Sequence, residues 1–184
     1  SASGHVRVFK KNNNSWVQIG SDIDGGSKGD MSGQSGAISL SENGKILAIG
    51  TMRDSSSEAF KGSTKIYKLN EANNQWELFG NKIEGGKEWD LSGQSVSLSN
   101  DGLTLAIGAS ADDDPSRNYG NHGSAKIYKY NSSNNKWEQL GQSIYGEDAD
   151  NWSAEEISLS GDGKVVGIYA PKNNGRATNS GQFR

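Results

Sequence analysis

The sequence predicts an all-β fold, and three observations carry that prediction. A unit of about sixty residues recurs along the chain, marked by Trp16, Trp76 and Trp137 at separations of 60 and 61 residues. Within each unit, polar and apolar residues alternate with the period of a half-buried strand. The chain of 184 residues also contains 25 glycines and two prolines, which suits short strands joined by many tight turns.

Each unit divides into four strands, labelled A to D in chain order. In the middle unit, residues 95–99 alternate polar and apolar side chains and predict strand A. The turn at 100–102, Asn-Asp-Gly, predicts a tight hairpin into strand B at 103–108, since these residues accept positive φ. After a longer loop, residues 123–130 predict strand C. An asparagine-rich turn then leads into the Trp-bearing strand D, so the unit is expected to be antiparallel throughout.

A four-stranded antiparallel sheet repeated at this period is typical of a β-propeller blade, which packs both its faces against neighbouring blades. Strand B fits this role because it carries apolar residues on both faces, and its small residues Ala106 and Gly108 allow a neighbouring sheet to approach. The Trp of strand D recurs in every unit. We therefore interpret it as an apolar plate between blades rather than as a surface for ligand stacking.

The repeat resembles the FG-GAP type of propeller repeat found in integrin alpha subunits and in some fungal lectins. Ser-Val-Ser-Leu-Ser at 95–99, Leu-Ala-Ile-Gly-Ala at 105–109 and Lys-Ile-Tyr at 126–128 carry the resemblance. It is closer still to large extracellular repeat proteins of microbial eukaryotes and marine bacteria that carry Trp-x-Gln-Leu-Gly and Ser-Leu-Ser-x-Asp-Gly. The resemblance covers nearly the whole chain. It specifies the propeller fold well but the function poorly, because such folds serve many functions.

The turn between strands A and B departs from the calcium-binding repeats of the integrin kind. Those repeats place Asp-x-Asp-x-Asp-Gly in this turn, which gives a hard cation several oxygen ligands. Here the turns read Ser-Glu-Asn-Gly at 41–44, Ser-Asn-Asp-Gly at 99–102 and Ser-Gly-Asp-Gly at 160–163. Too few carboxylates remain for calcium, and we expect ordinary hairpin turns.

The number of repeats does not complete a ring, because closed propellers take roughly four to eight blades. We expect one repeat array over residues 1–184: strands C and D of a preceding blade at 4–31, repeat units at 32–91 and 92–152, and a partial unit at 153–184. An open set of blades exposes apolar sheet faces. The chain is therefore expected to be part of a longer protein, or to associate as a six-bladed ring of two copies or a head-to-tail filament.

The loops that join strand D to A and strand B to C are expected on one face of the array, where the resemblance implies ligand binding. Asp30 and Asp90 hold the same place before Ser-Gly-Gln-Ser, where a cap on loop amides is the favoured interpretation. Trp89 and Trp152 are extra aromatics on these loops and could stack on a sugar ring or pack within the loop. The candidate ligand contacts are Asp30, Trp89, Asp90, Asn151 and Trp152.

Two further kinds of site are suggested by short motifs. Three consecutive carboxylates, Asp112, Asp113 and Asp114, could bind Ca²⁺, although a solvated and self-repelling turn is the favoured interpretation. No other cofactor is expected. Three Asn-x-Ser sequons are candidates for glycosylation and agree with a secreted protein. They begin at Asn13, Asn131 and Asn151.

Composition disfavours several classes of function. The formal charge of −3 with scattered Lys and Arg gives no basic stripe for nucleic acid. No apolar run approaches the roughly 20 residues that span a bilayer. The chain has no Cys and no nucleophile-elbow or phosphate-cradling motif, so we expect no enzyme. A carboxylate pair for glycoside hydrolysis stays open, because sequence gives no distances.

These observations together favour a noncatalytic extracellular module, part of a surface coat, fibre or adhesin, which assembles through blade or strand complementation. The expected partners are further copies of the chain or neighbouring repeats of a longer one. The alternative is a carbohydrate-binding propeller lectin that uses the Trp and the Asp or Asn residues of the loop face.

Overall fold

The computed structural model describes residues 3–34, 36–54, 60–117, 120–173 and 181–183. These residues form β-strands joined by turns and contain no α-helix, and therefore no helix able to cross a bilayer. The strands are β1 (His5–Asn12), β2 (Ser15–Asp24), β3 (Ile38–Leu40), β4 (Ile46–Thr51), β5 (Ser63–Asn70), β6 (Gln75–Leu78), β7 (Ile83–Glu84), β8 (Ser95–Leu98), β9 (Thr104–Ala109), β10 (Ser124–Asn131), β11 (Lys136–Gln139), β12 (Ile144–Tyr145), β13 (Glu156–Leu159), β14 (Val166–Ala170) and β15 (Gln182–Phe183).

The strands form four antiparallel sheets that follow one another along the chain. β1 and β2 pair as strands C and D of a first blade. The second blade has the order β3-β4-β5-β6 and the third β8-β9-β10-β11, while β13, β14 and β15 form a partial fourth. The predicted all-β fold with four-stranded antiparallel blades is confirmed. The predicted boundaries between units, at residues 32, 92 and 153, all fall in loops from strand D to A and stay a prediction.

Strand D is shorter than the repeat pattern alone indicates. In the second and third blades it divides into two pieces, β6 with β7 and β11 with β12, and both pieces pair with strand C. The break falls at Gly80 and at Gly141, whose φ values of 84° and 74° lie in the left-handed region. In these two blades the glycine that follows the Trp by four residues therefore interrupts the strand, whereas β2 of the first blade continues through Gly20.

The turns between strands A and B are hairpins, as predicted. Gly44, Gly102 and Gly163 each have positive φ. In the middle unit, the Asp101 carboxylate accepts hydrogen bonds from Ser99 Oγ at 2.6 Å and from the Leu103 amide at 2.8 Å. The Asp101 side chain thus links the two ends of its own turn by hydrogen bonds.

The main apolar core lies between the second and third blades. It includes Ile46, Ile66, Val96, Leu105 and Ile107, and the strands in B position, β4 and β9, are buried along their whole length. A Cβ atom added at Gly108 would lie 2.2 Å from the carbonyl oxygen of Ala154 in the loop that enters the next blade. Close approach between blades therefore requires glycine here, as the small residues of strand B predict.

The Trp of strand D joins each blade to the one before it. Trp76 Nε1 donates a hydrogen bond to the Ile19 carbonyl at 3.0 Å, and Trp137 Nε1 donates to the Phe79 carbonyl at 2.8 Å. Each of these indole rings lies on the glycine that follows the accepting residue. This confirms the predicted role of the Trp at the junction of the first blade with the second and at that of the second with the third.

The glycine under each ring leaves no room for a side chain. A Cβ atom at Gly20 would lie 2.5 Å from Trp76 Cδ1, and one at Gly80 would lie 2.8 Å from Trp137 Cδ1. At Gly141 no atom of the described residues lies within 4 Å of the Cβ position. Trp16, the remaining Trp of the series, is 68% exposed.

A matched pair of glycine variants tests this packing. Gly80→Ala and Gly141→Ala both place Ala at positive φ, which costs about 1–2 kcal/mol in either position. Only Gly80→Ala forces a methyl group into a Trp ring, an overpacking that costs about 1–3 kcal/mol more. Urea unfolding followed by circular dichroism at low protein concentration should show this difference in the free energy of unfolding. Equal losses in the two variants would contradict the contact.

Candidate functional site

The loops from strand D to A share one backbone conformation on the loop face. In the middle unit, Trp89 and Leu91 adopt φ values of 66° and 57° on either side of Asp90. Residues other than glycine rarely adopt positive φ, so the surrounding structure must hold them there. The same left-handed positions flank the corresponding buried residue in the other loops, at Gly29, Met31, Asp150 and Trp152. The alternation turns the central side chain inward in every unit.

The inward carboxylates cap their own loops. Asp30 Oδ2 accepts a hydrogen bond from the Ser27 amide at 2.6 Å, and Asp90 Oδ2 accepts one from the Lys87 amide at 2.7 Å. This is the capping geometry that the sequence favoured. Both side chains are buried, and Asp90 is only 3% exposed. A ligand on the outer surface would reach little of either carboxylate.

Asp112, from the loop between strands B and C, lies beside Asp90 in the third blade. Asp112 Oδ2 accepts a hydrogen bond from Ser124 Oγ at 2.6 Å and forms an ion pair with Lys126 Nζ at 2.7 Å. Burial by itself lowers the pKa of Lys126, but the hydrogen bond and charge of Asp112 outweigh it and leave that pKa raised. The result is a buried cluster of two carboxylates and one ammonium group.

The pKa of Asp90 is raised from its ordinary value of 3.8 to about 6. Burial is the main cause, and the nearby carboxylate of Asp112 adds to it. The hydrogen bond from the Lys87 amide and the positive charge of Lys126 act in the opposite direction. A raised carboxyl pKa beside a second carboxylate can indicate acid–base chemistry. Here both groups are buried, and Asp112 already accepts a hydrogen bond from Ser124 and pairs with Lys126.

A similar cluster occurs in the second blade, where Lys82 is the cation in place of Lys126. Asp54 Oδ2 accepts from Ser63 Oγ at 2.6 Å and lies 3.3 Å from Lys82 Nζ, which also forms an ion pair with Glu84 at 2.8 Å. Asp30 and Asp54 line one cavity of this blade together. Sequence reasoning missed this pairing of the two loops. The signal was present, since Asp54 follows Asp30 by 24 residues and Asp112 follows Asp90 by 22.

The fourth blade replaces both carboxylates by amides. Asn151 takes the place of Asp90, and Asn173 takes the place of Asp112 with its Nδ2 3.4 Å from Glu147 Oε2. Asn151 is 1% exposed, and its Nδ2 has no hydrogen-bond partner in the part of the chain that the structure describes. The loop keeps its conformation without the charges. The carboxylate pair is therefore not common to every blade, whereas the conformation of the loop is.

The three consecutive carboxylates do not form a common metal site. Asp113 accepts hydrogen bonds from the backbone amides of Gly120 and Asn121, while Asp114 accepts from Ser116 and pairs with Arg117 Nε at 3.2 Å. Asp112 points to Ser124 and Lys126, as described above. Over the described ranges, no group of three or more His, Cys, Asp or Glu side chains is arranged to hold a metal ion.

The two loop aromatics differ in what they offer a ligand. Trp89 is 58% exposed and packs against Phe60, with ring centroids 4.9 Å apart. Trp152 has the Lys172 ammonium group 3.9 Å from its ring centroid, so a cation already covers one face. They also stand at different loop positions, since Trp89 precedes the buried residue of its loop and Trp152 follows it. They do not form a repeated stacking pair.

The three sequons differ in accessibility. Asn13 is exposed in the turn between β1 and β2. Asn131 ends β10, and its Nδ2 donates to Glu138 Oε2 at 3.0 Å. Asn151 is buried, which corrects its place among the glycosylation candidates, because a buried amide nitrogen cannot carry a glycan in the folded chain. Asn13 and Asn131 stay predictions.

Comparisons with known proteins agree with the repeat and the fold. The family model described as FG-GAP repeat matches residues 84–128, which confirms the predicted FG-GAP-like repeat. No curated protein sequence matches the chain.

Two solved structures with propeller folds are similar. One is a candidate 6-phosphogluconolactonase from Bacteroides fragilis NCTC 9343, with 16% identity and a TM-score of 0.52 over 80% of this chain and 35% of that one. The other is a candidate 6-phosphogluconolactonase from Bacteroides uniformis ATCC 8492, with 19% identity and a TM-score of 0.52 over 78% of this chain and 35% of that one. The chain thus spans about a third of their length.

The buried cluster predicts a specific dependence of stability on pH. Because the pKa of Asp90 rises from 3.8 to about 6 on folding, the native state holds this proton more tightly than the unfolded state. Stability from this group is therefore greatest below pH 4 and is lost as the pH rises to about 6. Asp90→Asn, which copies the residue of the fourth blade, should remove this loss and stabilise the fold at pH 7 by about 1–2 kcal/mol.

Thermal or urea unfolding of both proteins between pH 4 and pH 8 measures the effect. Asp148→Asn, which removes an exposed carboxylate from the corresponding loop of the next unit, controls for net charge. A difference between Asp90→Asn and the parent chain that stays constant across this pH range would contradict the shifted pKa.

Proposed function

We propose that this chain is a noncatalytic extracellular module whose blades form a scaffold for protein interactions, as in a surface coat, a fibre or an adhesin. The FG-GAP repeat at 84–128 supports an interaction module, because such repeats are typical of extracellular proteins. The observation that carries the proposal is the set of partners that the loop-face carboxylates have. These carboxylates bind loop amides, hydroxyl groups and lysines of the scaffold itself.

The comparison between blades supports a scaffold rather than a catalyst. A reaction needs its acid, base or nucleophile to contact the substrate. Asp90 and Asp112 are buried, and the equivalent residues in the fourth blade are Asn151 and Asn173. The loop backbone is the same in both cases, so its shape is retained while its charges change. Shape is what a surface for protein contacts requires.

Hydrolysis of a phosphorylated lactone, which the names of the two similar structures suggest, is not favoured by the two lysines of the buried loop-face clusters. A phosphate group is bound by cations or by backbone amides that point at it. Lys126 is paired with Asp112, and Lys82 is paired with Asp54 and Glu84. These lysines neutralise carboxylates of the scaffold. The likeness to those structures concerns the fold.

Surface location tests the proposal directly. An antibody raised against the folded chain should label intact cells of the source organism, and the signal should fall after mild protease treatment of the cell surface. Antibody against a cytoplasmic marker serves as the control for cell integrity. Labelling that requires permeabilised cells would contradict an extracellular module.

A carbohydrate-binding function is the second candidate, and the exposure of Trp89 favours it. A sugar ring stacks on an exposed aromatic face, and Asp or Asn side chains accept its hydroxyl protons. If the loop face binds glycans, Trp89→Ala should weaken binding on a glycan array at least about tenfold, a loss of about 1.4 kcal/mol. Trp152→Ala is the matched control, because Lys172 already covers that ring. No bound glycan, or equal loss in both variants, would exclude this use of Trp89.

A further inference from the structure

The first and last sheets of the described residues expose residues whose counterparts in the sheets between them are buried. Trp137 is 4% exposed at the junction of the second and third blades, whereas its counterpart Trp16 is 68% exposed. Ile46 is buried in the second blade, whereas its counterpart in the fourth, Val165, is 67% exposed. The repeat itself therefore shows what each exposed residue packs against when a neighbour is present.

The first such contact is the Trp ring on glycine. Trp76 covers Gly20 and Trp137 covers Gly80, with each indole donating to the carbonyl of the residue before the glycine. The next glycine in the series is Gly141, which is uncovered by any described residue. Its preceding carbonyl belongs to Leu140, whose side chain is exposed. Trp16 and the pair formed by Leu140 and Gly141 are thus complementary.

The second contact is made by the glycine of the A–B turn. A Cβ atom at Gly102 would lie 2.8 Å from Ile46 Cδ1 of the preceding blade, and one at Gly163 would lie 3.0 Å from Thr104 Cβ. At Gly44 no atom of the described chain lies within 4 Å of that position. Each partner lies two residues after its own turn glycine. By this rule the partner of Gly44 is Val165.

The third contact is a hydrogen bond between strands in A position. The Leu98 amide donates to Ser39 Oγ of the preceding blade at 2.9 Å, and the Leu159 amide donates to Ser97 Oγ at 2.9 Å. The series continues with Ser158 as acceptor and the Leu40 amide as donor. Leu40 is exposed, whereas Leu98 and Leu159 are buried.

In all three kinds of contact, the later blade supplies the Trp, the turn glycine and the Leu amide, and the preceding blade supplies their partners. The leading face is defined by Trp16, Leu40 and Gly44, and the trailing face by Gly141, Ser158 and Val165. We infer that the trailing face binds the leading face of a second copy of this chain. This inference rests on the proposed function as an interaction module and names the partner.

Strand pairing supports the same arrangement. The trailing end has strands in A and B position, β13 and β14, while the leading end has strands in C and D position, β1 and β2. A second copy would place its β1 along β14, as β5 lies along β4. That ladder has six residue pairs, whereas the short β15 that β1 displaces makes two. The four strands complete one blade from two copies.

Charge is also complementary at this blade. Lys126 Nζ of the third blade lies 4.0 Å from the Cβ position of Gly86. The residue equivalent to Lys126 in β1 is Arg7, and the residue equivalent to Gly86 in the fourth blade is Glu147. The second copy therefore brings an arginine to the place where this blade carries a glutamate.

The blade count sets the stoichiometry. Within the described residues each copy has two complete blades, a two-stranded sheet in C and D position, and a three-stranded partial blade whose short β15 lies in C position. Two copies of residues 1–184 joined at both ends, with β1 in the place of β15, have six blades, which lies within the roughly four to eight that a closed propeller takes. The closed assembly is a symmetric dimer with two equivalent junctions, each containing one Trp16 and one Gly141.

Analytical ultracentrifugation of the 184-residue chain tests the dimer across the micromolar concentration range. The expected species has twice the chain mass of 19.6 kDa. Trp16→Ala removes the indole ring, and Gly141→Asn fills its site with a residue that tolerates positive φ. Each should weaken the dimer by about a hundredfold or more, since each affects both junctions. Trp89→Ala, on the loop face, is the matched control and should leave the dimer unchanged.

Mixing the two variants separates a specific contact from a general loss of association. A copy with Trp16→Ala keeps Gly141, and a copy with Gly141→Asn keeps Trp16, so the mixed dimer retains one intact junction. Native mass spectrometry should show the mixed dimer in excess over either variant dimer. Circular dichroism checks that each variant is folded.

A chain that stays monomeric at every concentration would overturn the inference. A dimer that neither variant weakens would overturn the Trp–Gly contact, and polymers that grow with concentration would overturn the closed ring. The outcome is independent of surface labelling. Cytoplasmic labelling with an intact dimer rejects the proposed function, whereas surface labelling with a monomeric chain rejects this inference.

Discussion

The packing of one blade on the next is the interaction on which the rest of this structure depends. A single four-stranded sheet cannot bury two apolar faces, so each blade is stabilised mainly by its neighbours. Glycine sets the distance of that approach, because Gly20 and Gly80 lie directly under indole rings. The indole N–H groups would otherwise be buried without partners, and they bond to carbonyls of the preceding blade. Apolar burial and polar pairing are thus provided by the same residue.

The chemistry of the loop face follows from this close packing. When blades approach, the loop from strand D to A is pressed against the loop from strand B to C, and polar groups on both become buried. Buried polar groups need partners, and the carboxylates of Asp90 and Asp112 find them in a loop amide, a serine and Lys126. Where the pair is Asn151 and Asn173, the charges are absent and the loop shape persists. The buried charges of the loop face are therefore a consequence of how the blades pack.

The repeat made the fold predictable, because each strand could be identified three times by its alternation, its turn glycine or its Trp. The hairpin turns and the role of Trp76 and Trp137 followed from local patterns alone. The meeting of Asp90 with Asp112 was missed, although the similar spacing of the two Asp pairs is visible in the sequence. The break of strand D at Gly80 and the burial of Asn151 could not be predicted, because both depend on how the assembled blades pack. A sequon has a fixed spelling, whereas its accessibility depends on the loop that surrounds it.

The contacts between blades recur within the chain, and by our inference they continue between copies. Hydrogen exchange at increasing protein concentration measures this, since it reports on backbone amides at the two open edges. Amides of β1 and β14 should become protected as concentration rises, while amides of β4 and β9 should stay equally protected throughout. Exchange at β1 and β14 that is independent of concentration would contradict it.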